Sequence, residues 1–219
     1  MFKEITLYVD RHDMKQIEAL KKLVKPEWQF IDVGACQGAL MHPMSQMMNC
    51  GWGFEANPRN IPYLEGIFKK IFNVKIINMG ISNKNQVDEF YIGTTSHNAS
   101  ISESFSREVL DGKGMENKFS IPCVTLDSFF HDVRIDIIKM DIEGGEWIAL
   151  EGATNILKNQ DAIWLIEFHM DDEWHKREIF YDHGYDIFDR DTFEKLDRNS
   201  DRPYQAFIAR EDKMKSLVS

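Results

Sequence analysis

An apolar strand that runs into two carboxylates and a glycine pair is the feature that most constrains the fold of this chain. The strand is predicted over Ile135–Met140, Asp141 and Glu143 follow it, and Gly144 and Gly145 precede an amphipathic helix. Ligand sites in open α/β sheets lie where the carboxyl ends of strands meet the starts of helices. The segment therefore predicts a parallel sheet with a ligand at its carboxyl edge and acidic groups beside that ligand.

A second segment of the same kind lies far upstream. The predicted strand Gln29–Val33 contains Asp32, and Gly34 and Gly38 follow it. Gly34 permits a tight turn after the strand, and Gly38 lets a helix or a ligand approach the backbone closely. The two segments together indicate a nucleotide-like cofactor held at one end of the sheet, although an ordinary strand-to-helix turn is the alternative for the glycines alone.

The residues of this turn argue against a standard dinucleotide cofactor. The fingerprint for NAD or FAD needs glycine at the position of Cys36 and at or near Ala39, and neither is present. The carboxylate of Asp32 would repel a pyrophosphate and attract a positively charged cofactor. S-adenosylmethionine carries a sulfonium and an ammonium group and no phosphate, so it suits this turn better.

An acidic residue also ends the next strand. Glu55 lies 23 positions after Asp32, and a carboxylate there can accept hydrogen bonds from both ribose hydroxyls. The segment after the third strand is expected to border the adenine, with a plain turn as the alternative. The predicted cofactor-binding residues are Asp32, Gly34, Ala35, Gly38, Glu55, Ala56, Asn57, Gly80, Ile81, Ser82 and Asp141.

Strands alternate with helices over most of the chain, which predicts βαβ units and a mainly parallel central sheet with helices on both faces. The core strands carry apolar residues at successive positions, as in Trp164–Ile166 and within Ile135–Ile138, which is expected of strands covered on both faces. The segments Tyr185–Phe188 and Gln205–Ala209 predict a closing antiparallel hairpin at the edge of this sheet.

Length and charge limit the classes of protein to consider. At 219 residues one α/β domain is expected, with a helical lead-in over 1–27 and an inserted strand and loop segment over 87–124 that caps the acceptor side. A net charge of −10 argues against a general nucleic-acid binder. No apolar run reaches membrane length, and three scattered cysteines without zinc spacing fit a reducing cytoplasm.

The chain resembles the FkbM-type family of S-adenosylmethionine-dependent O-methyltransferases. The segments that carry the resemblance are Phe30–Gly38, Gly53–Pro58, Val124–Phe129, Ile135–Glu146 with its continuation Glu151–Ala153, and Ile166–His169. They recur in the family's order, and the Lys-x-Asp-x-Glu-Gly run is the most specific of them. The resemblance implies a Rossmann-like class I methyltransferase fold, S-adenosyl-L-methionine as cofactor, and methyl transfer to a hydroxyl of a sugar, a glycan or a small natural product.

The predicted catalytic residues are His169, Asp141 and Glu143. A sulfonium is an activated methyl donor, so the enzyme must orient the acceptor oxygen and help it lose its proton. His169 is the favoured base, with a core histidine as the alternative. Asp141 is expected to orient the acceptor or the cofactor's amino group, and Glu143 to bind the acceptor or act as an alternative base. Lys139 is expected to form a structural ion pair.

Other interpretations stay open at this point. The carboxylates of Asp141, Glu143 and Glu167 could bind Mg²⁺ together with His169, but no metal is predicted. The alternative functions are an NAD-dependent sugar-modifying enzyme and a non-catalytic cofactor-binding interaction module. The expected partner is a small-molecule or glycan acceptor, without nucleic acid or membrane, and no oligomeric state is predicted.

Overall fold

The computed structural model describes residues 7, 9–92, 99–100, 118–169 and 172–218. Its main sheet has seven strands in the order β10-β11-β9-β8-β1-β2-β3. These strands are β1 (Gln29–Val33), β2 (Cys50–Phe54), β3 (Val74–Ile77), β8 (Ile137–Met140), β9 (Ile163–Glu167), β10 (Asp186–Asp189) and β11 (Gln205–Ala209). β11 runs opposite to the other six strands of this sheet. The predicted parallel sheet and its edge hairpin are therefore confirmed.

A smaller sheet of four strands lies beside the main one, in the order β4-β7-β5-β6. Its strands are β4 (Gly80–Ile81), β5 (Gln86–Ile92), β6 (Ala99–Ser100) and β7 (Lys118–Val124). β4, which was not predicted as a strand, pairs in parallel with β7. Residues 93–98 and 101–117 of the predicted cap lie outside the described residues, so the role of that segment stays a prediction.

Helices cover both faces of the main sheet. They are α1 (Arg11–Leu23), α2 (Met41–Ser45), α3 (Ile61–Phe68), α4 (Leu126–Phe129), α5 (Glu146–Glu151), α6 (Thr154–Asn159), α7 (Glu178–Asp182) and α8 (Glu211–Val218), with a 3₁₀ turn at Trp174–Arg177. Helices α1, α2, α3 and α8 pack with Phe30 on one face, whereas α4 to α7 pack with Ile31 on the other. Successive apolar strand residues thus serve two separate cores.

Three helices differ from what the sequence pattern suggests. The pattern over 146–158 favours one helix, but the structure divides it into α5 and α6 at Gly152, where a Cβ would overlap the carbonyl oxygen of Ser82. A helix is also expected from the sequence over 38–49, and only α2 forms there, with Pro43 in its first turn. Helix α8 was not predicted. Among the helices in the described ranges, none combines the length and the apolar run needed to cross a bilayer.

Candidate active site

A cavity of about 340 Å³ lies at the carboxyl edge of the main sheet. From β1 the chain continues outward to β2 and β3 on one side, and to β8 and β9 on the other. The neighbouring strands β1 and β8 therefore form the topological switch point, where open α/β sheets bind their ligands. The cavity is walled by the ends of β1, β2, β8 and β9, by the start of α1, and by Tyr204 before β11.

The structure brings most of the predicted site residues to this cavity. Asp32, Gly34 and Ala35 line it from the end of β1, Glu55 and Ala56 from the end of β2, Gly80 and Ile81 from β4, and Asp141 and Glu143 from the end of β8. Gly38, Asn57, Ser82 and His169 lie behind this lining. Gly38 instead faces the Phe68 ring, so its glycine allows α3 to pack closely.

Glu55 fixes the glycine turn to the end of β2. Its carboxylate accepts hydrogen bonds from the backbone N–H of Cys36 and from that of Asn57, both at 2.6 Å. Gly34 has a φ of +86°, Cys36 a φ of +49° and Gly38 a φ of +84°, so the turn uses left-handed backbone at three positions. The side chain of Asn60 also donates to this carboxylate, and the two oxygens together still have acceptor capacity for a ligand's hydroxyl.

Burial raises the pKa of both Glu55 and Asp32, the two carboxylates on the cofactor side of the cavity. It raises the pKa of Glu55 to about 7, against the opposing effect of the hydrogen bonds from Asn57 and Cys36. It also raises the pKa of Asp32 to about 6, opposed by the charge of Lys139. A positively charged ligand group beside either carboxylate would favour the ionised form.

We expect the unliganded protein to lose stability as the pH rises from about 4.5 to about 7. The folded-state pKa of Glu55 lies above its ordinary value of 4.5, so its contribution is complete below pH 4.5 and is lost as the pH rises through 7. The loss amounts to about 3 kcal/mol at most. Urea unfolding of the wild type and of Glu55→Gln across this range measures it; equal pH slopes would contradict the assignment.

Lys139 lies near the carboxylates of both Asp32 and Asp141 and forms the expected ion pair. Its Nζ donates to the carbonyl oxygen of Gly34 at 2.9 Å and lies 3.3 Å from Oδ1 of Asp32 and 3.7 Å from Oδ2 of Asp141. Burial lowers the pKa of Lys139, but the neighbouring carboxylates outweigh this effect and raise it overall. Lys139 is therefore a charged residue that positions the turn and both aspartates.

Four carboxylates converge on His169, which sequence alone could not establish. Nδ1 of His169 lies 3.1 Å from Glu146, and Nε2 lies 3.3 Å from Glu167, 3.5 Å from Glu143 and 3.8 Å from Asp141. Glu146 also accepts from the backbone N–H groups of residues 142 and 144. It thereby holds the loop in which Glu143 adopts a strained φ of +54°.

This surrounding charge determines the protonation of the cluster. Burial lowers the pKa of His169, but the hydrogen bonds to Glu146 and Glu167 dominate and raise it to about 11. Burial and the charge of Asp141 raise the pKa of Glu143 to about 7. His169 is thus an imidazolium at neutral pH, and it must first lose a proton before it can act as a base. Its catalytic role stays a prediction.

The same cluster contains a set of groups with the geometry for a divalent cation. One ligand atom each from Asp141, Glu167 and His169 lies within 4.8 Å of the others. Carboxylate oxygens and a neutral imidazole are suitable ligands. Because the ammonium of Lys139 and the imidazolium of His169 already lie against the carboxylates of Asp141 and Glu167, charge balance does not require a metal.

The start of α1 forms the opposite wall of the cavity, which the sequence analysis missed. His12, Asp13 and Gln16 line it together with Tyr204. A capping box between Asp10 and Asp13 fixes where α1 begins. Asp10 and Asp13 could have marked this helix start, but no sequence pattern links it to strands more than a hundred residues away.

The strand order and the switch-point cavity with acidic residues at its strand ends define a Rossmann-like class I methyltransferase fold. The model of the methyltransferase FkbM domain matches residues 32–195. The chain therefore belongs to the FkbM methyltransferase family. A search of curated proteins by sequence finds no match.

Solved structures resemble the chain at low sequence identity and support the fold alone. A methyltransferase FkbM from Methylobacillus flagellatus has a TM-score of 0.54 at 14% identity, over 92% of this chain and 56% of that one. An rRNA methylase from Streptococcus thermophilus has 0.51 at 12%, over 93% and 98%. A candidate methyltransferase from Streptococcus mutans in complex with SAH has 0.50 at 9%, over 92% and 99%. This chain thus spans little more than half of the Methylobacillus protein.

Proposed function

We propose that this protein is an S-adenosylmethionine-dependent O-methyltransferase that methylates a hydroxyl of a sugar, a glycan or a small natural product. The observation that carries the proposal is the single cavity wall in which Asp32, Glu55 and Asp141 stand at the ends of three neighbouring strands. The family is one of methyltransferases, and the acid-lined switch point suits a cationic, phosphate-free donor.

The residues on the cofactor side have distinct roles in this proposal. Glu55, anchored by Cys36 and Asn57, accepts hydrogen bonds from the ribose hydroxyls. Asp32 and Asp141 face the positive end of the donor. The Lys139 ammonium lies within ion-pair distance of both carboxylates and reduces the repulsion between them. When bound, S-adenosylmethionine supplies a methyl group on a sulfonium, which is ready for transfer without further activation.

The acceptor side favours a polyhydroxylated molecule. Asp13, His12, Gln16 and Glu143 bring hydrogen-bonding groups to the cavity, and Tyr204, 58% exposed, adds an aromatic ring at the same wall. Hydroxyl-rich acceptors use such polar groups, and their apolar C–H faces pack on aromatic rings. Asp141 and Glu143 orient the acceptor, and the His169 imidazolium holds these two carboxylates in place.

Cofactor binding tests the first half of this proposal. Titration calorimetry is expected to show binding of S-adenosylhomocysteine and none of NAD. Glu55→Gln is expected to weaken the binding of S-adenosylhomocysteine about tenfold or more, because hydrogen bonds to a charged group are lost. Glu151→Gln, a carboxylate bonded to Asn83 outside the cavity, is the matched control. Tight NAD binding without S-adenosylhomocysteine binding would instead support the NAD-dependent alternative.

Methyl transfer tests the second half. Labelled S-adenosylmethionine is incubated with methyl glycosides of glucose, mannose, rhamnose and fucose and with cell-extract fractions, in EDTA and with added Mg²⁺. We expect a labelled ether product that forms equally well in EDTA, and His169→Ala is expected to lower turnover at least tenfold with little change in S-adenosylhomocysteine affinity. Binding without turnover on any fraction would favour the non-catalytic interaction module.

A further inference from the structure

A second histidine, His12, shares the carboxylate of Glu167 with His169. Nε2 of His12 lies 2.8 Å from Oε2 of Glu167, while Oε1 of the same carboxylate lies 3.3 Å from His169. His12 belongs to the first turn of α1, and Glu167 ends β9. The contact therefore joins two walls of the cavity and places one ring nitrogen of His12 at ion-pair distance from Glu167.

The other ring nitrogen of His12 is available. The side-chain amide of Gln16 contacts the same Nε2 at 2.5 Å, and the ring of Tyr204 packs edge-on with its centroid 5.5 Å away. Within the described residues, Nδ1 of His12 has no hydrogen-bond partner. The His12 side chain lines the cavity and is 33% exposed, so a ligand and solvent can both reach it.

We propose that His12 is the general base of the methyl transfer, with Glu167 as the positioning residue that orients its ring. This proposal rests on the proposed function. A lone pair of the acceptor hydroxyl oxygen forms the new C–O bond to the methyl carbon as the S–CH₃ bond breaks. The bonding pair stays on sulfur, giving neutral S-adenosylhomocysteine, and the hydroxyl proton moves to Nδ1 of His12. The Glu167 carboxylate stabilises the resulting imidazolium, which then releases the proton to water.

The charges around His12 support this role. The hydrogen bond to Glu167 raises the pKa of His12 from 6.5, burial opposes the rise, Asp141 adds to it, and Arg190 opposes it. Asp13 on the same helix and the Tyr204 hydroxyl complete the titratable groups around the ring. The Glu167 carboxylate therefore raises the pKa of His12, because it stabilises the imidazolium form.

The position of His169 makes it the weaker choice for this step. His169 lies behind the cavity lining, and both its ring nitrogens face carboxylates. His12, in contrast, contacts a single carboxylate through one nitrogen only. A general base for an alcohol needs an imidazole that is held in place and has one ring nitrogen free to accept the proton.

Nuclear magnetic resonance of the ¹⁵N-histidine-labelled protein tests the pair without any acceptor. We expect neutral His12, assigned by the signals lost in His12→Asn, to carry its proton on Nε2, and its pKa to fall in Glu167→Gln. A proton on Nδ1 would overturn the proposal, and so would a pKa that Glu167→Gln leaves unchanged. If Glu167→Gln does not fold, the tautomer in the wild type alone decides.

Kinetics then tests the base directly, with the methyl glycosides as probes. His12→Asn is expected to lower kcat about 100-fold or more, with S-adenosylhomocysteine affinity unchanged within about threefold. Wild-type kcat should rise with pH through the pKa measured for His12, and this inflection should vanish in His12→Asn and return in part with added imidazole. His131→Asn, an exposed histidine beside Asp132, is the matched control.

The outcomes separate the two proposals. Retained turnover and an unchanged pH profile in His12→Asn would overturn the role of His12 while leaving the methyltransferase intact. A wild type that methylates no glycoside or extract fraction would count against the proposed acceptor class, and the tautomer measurement would then decide on the His12–Glu167 pair.

Discussion

Gly34→Ala is expected to abolish S-adenosylhomocysteine binding and to destabilise the protein by several kcal/mol. A Cβ at this position would overlap the backbone carbonyl of Asp141, and the φ of +86° is itself strained for alanine. The turn would have to move away from β8, and the carbonyl of Gly34 would lose its bond from Lys139. Calorimetry and urea unfolding measure the two effects.

Gly184→Ala is the matched control for Gly34→Ala. Gly184 has a φ of +77°, but the nearest atom to an added Cβ is the end of the Arg210 side chain at 3.5 Å. Only the backbone strain of about 1–2 kcal/mol should appear there, with cofactor affinity unchanged. If Gly34→Ala and Gly184→Ala lost the same stability and neither changed cofactor affinity, backbone strain alone would explain the effect at Gly34. The close contact between the turn and β8 would then contribute nothing.

Lys139→Met is expected to lower the free energy of unfolding by about 3–5 kcal/mol, the usual cost of leaving a buried charge without its partner. Asp32 is 1% exposed and has no other cation within ion-pair distance in the described residues. Because the expected loss is a large part of a typical domain's stability, cofactor binding should also weaken sharply. Urea unfolding at pH 7.5 gives the stability.

A second substitution separates charge from packing in that result. Asp32→Asn in the Lys139→Met background removes the stranded carboxylate, so we expect the double variant to be more stable than Lys139→Met alone. If the free energy of unfolding of Lys139→Met lay within about 1 kcal/mol of the wild-type value, Asp32 would be neutral in the folded variant and would leave no unpaired charge. Burial raises the pKa of Asp32 to about 6 in the wild type already.

The sheet could be predicted well because its strands carry their own signal. β1 and β9 are buried on both faces, and neighbouring apolar residues, Phe30–Ile31 and Ile163–Ile166, mark them in the sequence. Glycines and carboxylates after β1 and β8 marked the carboxyl edge in the same way. The cofactor half of the site was therefore accessible, and Glu55 and Gly34 line the cavity as predicted.

The remaining features depend on contacts that no local pattern encodes. The break between α5 and α6 lies at Gly152, whose backbone approaches Ser82 too closely for a side chain. The contact between His12 and Glu167 joins residues at opposite ends of the chain. The sequence contains the four carboxylates around His169, but only the fold shows that they surround this histidine and favour its positive charge.

The placement of α1 has a consequence for how such an enzyme changes over evolution. The cofactor wall comes from β1, β2 and β8, whereas His12 and Gln16 come from a short helix that precedes all of them. Exchange of this one helix would therefore change the proposed base and its neighbours together, while Asp32, Glu55 and Asp141 would keep their places at the strand ends.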